Sequence, residues 1–475
     1  MQHAHRDAIV IGAGISGLVC AYRLKRLGLD VSLIEKSSRV GGVIQSERVD
    51  GYLIERGPNS SQGGEELLDL VNELEINDEL VEGDPKAPAY VYFAGKLHPV
   101  PSGPAAFLKS RLLSFSGKLR ILREPFVPVR RDTSEESVTS FARRRIGHEA
   151  AERLVAPFVS GIYAGDAEQL SVQAAFPRLA NLEIGSGGLF RGMFDKAREA
   201  RRARKNASAV LDKAAPIRRR LCSFRSGMAF LPKTLASRLG EDLLTGCDGL
   251  QIARSDSKAF LVEFERSGKH HSFNCDHLIV ATPAGVASKL LASISDELSG
   301  ELAEINYPPL AILSLAYDEA AIDTRLDGFG FLVPPAERLN ILGCVWNSSL
   351  FEGRAPAGKC LVTVFVGGAR KPELARLPDA DLVAIAHLEL RKALGITSEP
   401  HVVAITRYER SIPQYNLGHA IRVRRIEQLL EGTQGVSLIG NYLHGVSTGD
   451  CIKEADRMAE ILGKSLRNVD VKTHS

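Results

Sequence analysis

The 475-residue chain is poor in several things at once. Its seven cysteines (20, 222, 247, 275, 344, 360 and 451) are scattered, odd in number and never spaced C-x-x-C. They encode neither a disulfide framework nor a metal site, and they suit a reducing cytoplasm. No run of about 18 or more apolar residues occurs, so no segment is expected to span a bilayer and any membrane contact is peripheral. The first apolar run begins at Ala8 and passes directly into glycines, which does not read as a secretion signal. Net charge is only +3, and no motif repeats with a period of about 20–50 residues, which excludes a solenoid. No Ser-His-Asp set or paired carboxylates stand in a catalytic pattern, and His98, His419 and His444 are isolated.

What is present is an ordinary globular composition, 44% hydrophobic and 25% charged, in a chain long enough for two or three domains. Charge is uneven. Between Lys196 and Arg220 ten Lys/Arg stand against two acids, Glu199 and Asp212. This reads as a solvated helix face or as a segment for an anionic membrane surface. It has no aromatic interleaving, so nucleic acid is not an expected partner.

Periodicity divides the chain. Residues 7–60 alternate strand and loop around one helix, and 65–76 are helical. AYVYFAGKLHPVP (89–101) is strand-like, and 104–215 are mostly helical, with breaks at 125–132 and 161–169. Strands return near 243–253, 260–266 and 277–285. A β-rich block spans about 305–370, followed by a helix at 379–394, a strand at 401–408 and a last strand-loop-helix at 435–462. The pattern is one α/β domain interrupted by a helical and a β-rich insertion.

IVIGAGISGL carries G-x-G-x-x-G at Gly12, Gly14 and Gly17, between a strand and an amphipathic helix expected to start near Ser16. The first glycine permits the turn, the second admits a pyrophosphate to the backbone, and the third lets helix and strand pack closely. The helix N-terminus then faces the phosphates. A second strand ends in Glu35, 18 residues past Gly17, placed to accept bonds from an adenosine ribose.

The next stretch, KSSRVGGVIQS, supplies Arg39 and the pair Gly41–Gly42. It resembles the extended signature of FAD-dependent amine oxidases, desaturases and porphyrinogen oxidases. ERGPNS (55–60), SGIYAGD (160–166), GFGFL (328–332), SSLFEGRAP (348–356) and GNYLHGVSTGDCI (440–452) are similar to motifs of the protoporphyrinogen oxidase family, in order and over nearly the whole chain. The resemblance implies an α/β fold with a Rossmann-like FAD-binding domain from residues 1–88, 221–290 and 430–475. A β-rich substrate domain (89–103 and 291–429) and a helical, membrane-facing domain (104–220) complete it.

It further implies FAD contacts at Gly12, Ala13, Gly14, Ile15, Ser16, Gly17, Glu35, Lys36, Arg39, Gly41, Gly42 and Val43. Gly57, Pro58, Asn59, Ser60, Val446, Ser447 and Thr448 follow in the same role. Cys247 stands where the family's backbone reads the adenine. Gly161, Phe329, Leu332 and Phe351 would wall a tetrapyrrole pocket. Ala89 occupies the position where many members carry an Arg that pairs with a propionate; Lys86, Lys96 and His98 are the nearby alternatives. Asn59 is the expected orienting residue of the catalytic centre.

The implied reaction removes six electrons from a porphyrinogen in three rounds, with hydride leaving a meso carbon for the flavin and dioxygen ending as peroxide. Protoporphyrinogen IX and coproporphyrinogen III both fit; a carotenoid desaturase or amine oxidase fits less well. Besides substrate and dioxygen, the inner face of the cell membrane and a second copy of the chain are the expected partners. The helix near Asp450 is expected to aim its N-terminus at the flavin ring.

Overall fold

A computed structural model describes residues 4–130, 132, 134–207, 220–254 and 259–473. Much of the basic stretch singled out above, residues 208–219, lies outside the described residues; its first part is the end of a helix, Leu189–Ala207.

The first sheet has seven strands. Ala4–Ile11 (β1) lies in parallel between Val31–Ile34 (β2) and the long strand Lys269–Val280, and Leu243–Leu244 pairs in parallel on the far side of β2. Val436–Leu438 joins Leu278–Val280 in parallel, so a segment near the end of the sequence lies beside the middle of the sheet. The strands Phe260–Arg266 and Cys247–Arg254 add an antiparallel wing. All four residues of β2 are buried, as expected of a parallel strand covered on both faces. One face is covered by Ile15–Arg26 (α1) and by the C-terminal helix Thr448–Thr473, whose Cys451, Ile452, Ala455 and Ala459 share a core with Leu18, Val19 and Tyr22.

The second sheet, also seven-stranded, runs in the order 401–408, 310–318, 359–367, 343–345, 330–332, 89–93, 96–99. The stretch read as one strand over 89–101 is a hairpin. Ala94 and Gly95, both at positive φ, turn the chain between Ala89–Phe93 and Lys96–Pro99. One face of this sheet is sealed by the helix Asp379–Leu394 through Leu382, Ala386, Leu390 and Leu394. The opposite face meets Tyr52 and Ile54 at one end and the helical layer at the other, where Val91 packs with Leu112, Leu113 and Ile121.

That helical layer is built from Pro104–Lys109, Phe115–Leu122, Val138–Ile146, a run from His148 to Tyr163, Pro177–Ser186 and Leu189–Ala207. Its interior carries charge. Glu124 and Arg145 are paired and buried, and Glu124 also accepts the N–H groups of Leu189 (2.7 Å) and Phe190 (3.0 Å) at the start of the last helix. Glu183 and Glu136, both buried, bind Arg144. One turn, Ala151–Val155, is π-helical, a rare form concentrated at functional sites, and it precedes Pro157 and Gly161.

Candidate active site

The glycine loop after β1 is shaped by contacts that only glycine permits. Gly12 sits at φ +104°, and a Cβ on Gly17 would lie 1.9 Å from the Gly12 carbonyl oxygen, so α1 can approach β1 only without a side chain there. Gly14 is different: a Cβ there would meet nothing within 4 Å. The space above it is open, and the N-terminus of α1, which begins at Ile15 rather than Ser16, faces it with Gly14 as N-cap. The second glycine pair folds back onto the first. The Gly41 N–H donates to the Ala13 carbonyl (2.8 Å), and a Cβ on Gly42 would stand 3.4 Å from the Gly14 Cα. Two side-chain-free loops thus border one cleft, a shape that suits a pyrophosphate.

Glu35 ends β2 beside this cleft. Its carboxylate accepts the N–H groups of Ala13 (2.7 Å) and Ser37 (2.8 Å), which fix the acid at the mouth of the loop. Cys247 is buried next to it, but its N–H is already given to the Glu35 carbonyl (3.0 Å). A ligand there can therefore meet the Cys247 carbonyl or its neighbours, not its N–H. Lys36 and Arg39 are exposed; the Arg39 guanidinium donates to the Gly42 carbonyl (2.8 Å), and Lys36 stands 3.8 Å from Asp248.

The strand Tyr52–Glu55 carries the chain to Gly57–Ser60, all four half-buried. Gly57 is required by packing, since its Cβ would fall 2.0 Å from the Val43 carbonyl oxygen; the side chain of Val43 itself is turned out and exposed. Pro58 and Ser60 flank Asn59. The Asn59 Oδ1 accepts Asn347 Nδ2 (2.6 Å) and Thr363 Oγ1 (3.3 Å), and Thr363 also donates to Asn347 Oδ1 (2.8 Å). This three-residue network ties the first layer to the second sheet and uses the Asn59 carbonyl oxygen, not its amide NH2.

Strand register shows what lies beside it. Ala89, Gly330, Val345 and Thr363 follow one another across neighbouring strands on a single face, and Leu332, Gly343 and Phe365 form the adjacent row. A Cβ on Gly161 would come within 2.7 Å of Leu332 Cδ2, so the helical layer closes on this face at Gly161. Leu332 and Phe365 remain half-exposed on this face, and Phe329, also half-exposed, precedes the strand, its N–H bonded to the Pro88 carbonyl (2.9 Å). Ala89 shares the face of Thr363 and Asn59. Phe351 stands apart, buried beneath the Arg354 guanidinium (5.4 Å) with its edge toward Gly83. His98 opposes Val91, with Nε2 3.2 Å from the Phe93 carbonyl, whereas Lys86 and Lys96 are exposed.

The loop 440–446 delivers Val446, Ser447 and Thr448. The C-terminal helix begins at Thr448, two residues before its expected start, because Ser447 caps it: Ser447 Oγ accepts the Asp450 N–H (3.1 Å), and Asp450 Oδ2 takes the Ser447 hydroxyl (2.6 Å). Asp450 therefore places a carboxylate in the first turn and offsets part of the positive helix end. Cys451 shares a buried core with Ile15 and Leu18, so the N-termini of α1 and the C-terminal helix converge.

Glu55 and Arg354 stand inside the quoted motifs without having been singled out as functional. They form a buried pair (2.9 Å) in which Arg354 also bonds Ser223 and Glu55 accepts the Met228 N–H (3.0 Å). Burial raises the Glu55 pKa and lowers that of Arg354, each opposed by the partner's charge. The pair pins the base of the 55–60 turn. Asn347 and Thr363 carried no sequence signal, since their meaning is a contact with residue 59 across about 300 positions.

Three comparisons bear on this geometry. The flavin containing amine oxidoreductase family model matches residues 15–462. The chloroplastic protoporphyrinogen oxidase of Nicotiana tabacum is 34% identical over 97% of this chain and 86% of its own, and the coproporphyrinogen III oxidase of Bacillus subtilis 29% identical over 96% and 97%. A crystal structure from Exiguobacterium sp. 255-15 superposes with a TM-score of 0.79 at 26% identity, covering 98% of this chain and all of the other. The open space over Gly14, the facing Gly41–Gly42 pair and the anchored Glu35 fit the same cofactor. The chain belongs to the flavin containing amine oxidoreductase family, and FAD is its cofactor.

Proposed function

We propose that this chain oxidises protoporphyrinogen IX to protoporphyrin IX, with three dioxygen molecules becoming three of hydrogen peroxide. The observation that carries this reading is the junction at Asn59. There the turn after the glycine cleft is bonded to the face of the second sheet that Gly161, Leu332 and Phe365 line with apolar surface. A flat, largely apolar macrocycle suits such walls. When bound, FAD supplies the hydride acceptor for each of the three two-electron rounds. The Asn59 amide orients the reacting edge of the substrate, held in place by Asn347 and Thr363. Apolar walls exclude water. Ala89, on the same face, offers no charge to a propionate, which favours the substrate with two propionates over the one with four.

The remaining contacts follow from the same placement. Gly12 to Gly17 and Gly41–Gly42 hold the pyrophosphate, Glu35 the ribose, and Gly57 to Ser60 with Val446 to Thr448 the ring. The helical layer docks on the inner face of the cell membrane. Among the described residues no helix is long and apolar enough to cross a membrane. Yet Phe126 (82% exposed), Phe115 (77%), Ile184 (74%) and Phe194 (71%) stand out from this layer, flanked by exposed Arg111, Arg123, Arg191 and Lys196. Apolar anchors among cations suit an anionic bilayer.

The test uses purified, yellow protein given protoporphyrinogen IX or coproporphyrinogen III under air. Porphyrin fluorescence should rise above the autoxidation blank, faster with protoporphyrinogen IX, with peroxide released in step. A faster rate with coproporphyrinogen III would replace the substrate; no rate with either would defeat the reading.

A further inference from the structure

The loop between strand Val436–Leu438 and the C-terminal helix has few backbone bonds of its own; the Leu443 N–H to the Gly440 carbonyl (3.3 Å) is one. A ring from a different segment, IPQYNLGH (412–419), bonds to it instead. The Tyr415 hydroxyl donates to the Asn441 carbonyl (2.7 Å) and accepts the Gly445 N–H (2.9 Å). His419, one helical turn later in sequence, lies against the Tyr415 ring. The rings stack at 4.2 Å and 12°, and both residues are buried.

Tyr415 is fixed in turn by the helical layer. Its carbonyl accepts the Ser171 N–H (2.8 Å), and Leu417 donates to Gln169 (2.9 Å). The neighbouring Gln414 donates to the Tyr163 carbonyl (2.8 Å), and the Tyr163 ring lies 5.8 Å from that of Tyr415. A phenol anchored in one layer thus holds both a donor and an acceptor of the loop that leads into Val446–Thr448.

We infer that Tyr415 is a positioning residue for the cofactor: through its stacked partner His419 and its two bonds to residues 441 and 445, it sets the path of the 441–448 loop against the flavin. The inference rests on the proposal that Val446–Thr448 meet the ring. Loss of both bonds leaves a half-buried carbonyl and a half-buried N–H without their partner, so the loop relaxes while the ring stack persists.

Holoprotein carrying Tyr415→Phe tests this. Its FAD should dissociate with about tenfold weaker affinity, the scale of one or two neutral hydrogen bonds, followed by fluorescence of released flavin. The visible flavin bands and the midpoint potential should shift as well. Tyr317→Phe is the control: it removes a buried hydroxyl that bonds His387 on the far side of the second sheet, and should leave flavin properties unchanged. Unaltered affinity, bands and potential in Tyr415→Phe would overturn the inference, as would an equal loosening by Tyr317→Phe. Val446→Lys separates the two ideas. Unaltered flavin bands in Val446→Lys would remove the loop from the ring and the inference with it, whereas altered bands there beside unaltered bands in Tyr415→Phe would defeat only the role of Tyr415.

Discussion

The glycine-loop layer and the helical layer are organised in opposite senses. Around β1 the interior is mostly apolar: Ala8, Val10, Leu18 and Val19 are sealed and Lys36 and Arg39 project outward, with Glu454 and the Glu55–Arg354 pair as buried exceptions. In the helical layer, Glu124, Arg145, Glu183 and Glu136 are buried, and Phe115, Phe126, Ile184 and Phe194 face outward. The first pattern is that of a domain folded against water. The second inverts it, which lowers stability in water unless every buried charge is paired and an apolar phase meets the exterior. The difference teaches that burial has to be judged against the medium each surface meets.

Four experiments break or sharpen this contrast. The largest effect should come from Glu124→Ala, which leaves Arg145 buried without its carboxylate and strips two N–H groups at Leu189 and Phe190 of their acceptor. A loss of about 3–5 kcal/mol from the helical layer is expected. Denaturant unfolding monitored by flavin and by proteolysis within 104–207 would detect it; an unchanged protease pattern would show that the buried charges do not hold this layer.

Next comes Glu454, a buried acid of the first layer on the C-terminal helix. Burial pushes its pKa up to about 7, with Glu427 and Asp450 adding to the rise and Arg457 opposing it; His444 lies 3.7 Å away. A carboxyl protonated in the fold and ionised in the unfolded chain makes stability fall as pH rises from about 4.5 to about 7, by about 3 kcal/mol. Glu454→Gln should flatten that slope and be the more stable protein at pH 8. Parallel pH profiles of the two would contradict the burial argument.

A third change exchanges the outer surface. Phe115→Ser with Phe126→Ser should leave unfolding free energy within about 0.5 kcal/mol but weaken sedimentation with anionic vesicles at least about tenfold, given about 1.5–3 kcal/mol per buried aromatic side chain. Equal vesicle binding would point to a second copy of the chain as the cover for this patch, and sedimentation equilibrium would show it. The smallest effect is expected from Ala89→Arg: a KM for porphyrinogen lowered about threefold with kcat unchanged, the scale of one partly solvated ion pair. An unchanged KM would remove Ala89 from the substrate face.

Much of the first layer was legible because its constraints are local. Gly12, Gly14, Gly17 and Gly41–Gly42 stand in short spacings, and periodicity locates most strands and the helix 379–394. The hairpin at Ala94–Gly95 was read as a straight strand because its turn lacks the usual Asn-Gly or Asp-Gly. The C-terminal helix was started late because Asp450 looks like a cap although Ser447 is the cap. Less legible were the groups that acquire meaning only by contact: Asn347 and Thr363 under Asn59, Arg354 under Glu55, and Tyr415 against Gly445. The buried acids of the helical layer carry no signal in the sequence, since nothing in a single sequence marks which medium a helix faces.

The place of Val436–Leu438 and the Thr448 helix inside the first sheet has a consequence for synthesis. Glu35 emerges from the ribosome early and Thr448 some 400 residues later, about 20–80 s at ordinary elongation rates of ~5–20 residues per second. Throughout that interval α1 lacks the helix that covers it, and once Leu278–Val280 has emerged beside β1 it waits for Val436–Leu438 on its other edge. A nascent chain lacking this segment can begin to shape its glycine loops but leaves α1 and the edge of the sheet uncovered, so products truncated before Val436 are left recognisably unfinished for proteolysis.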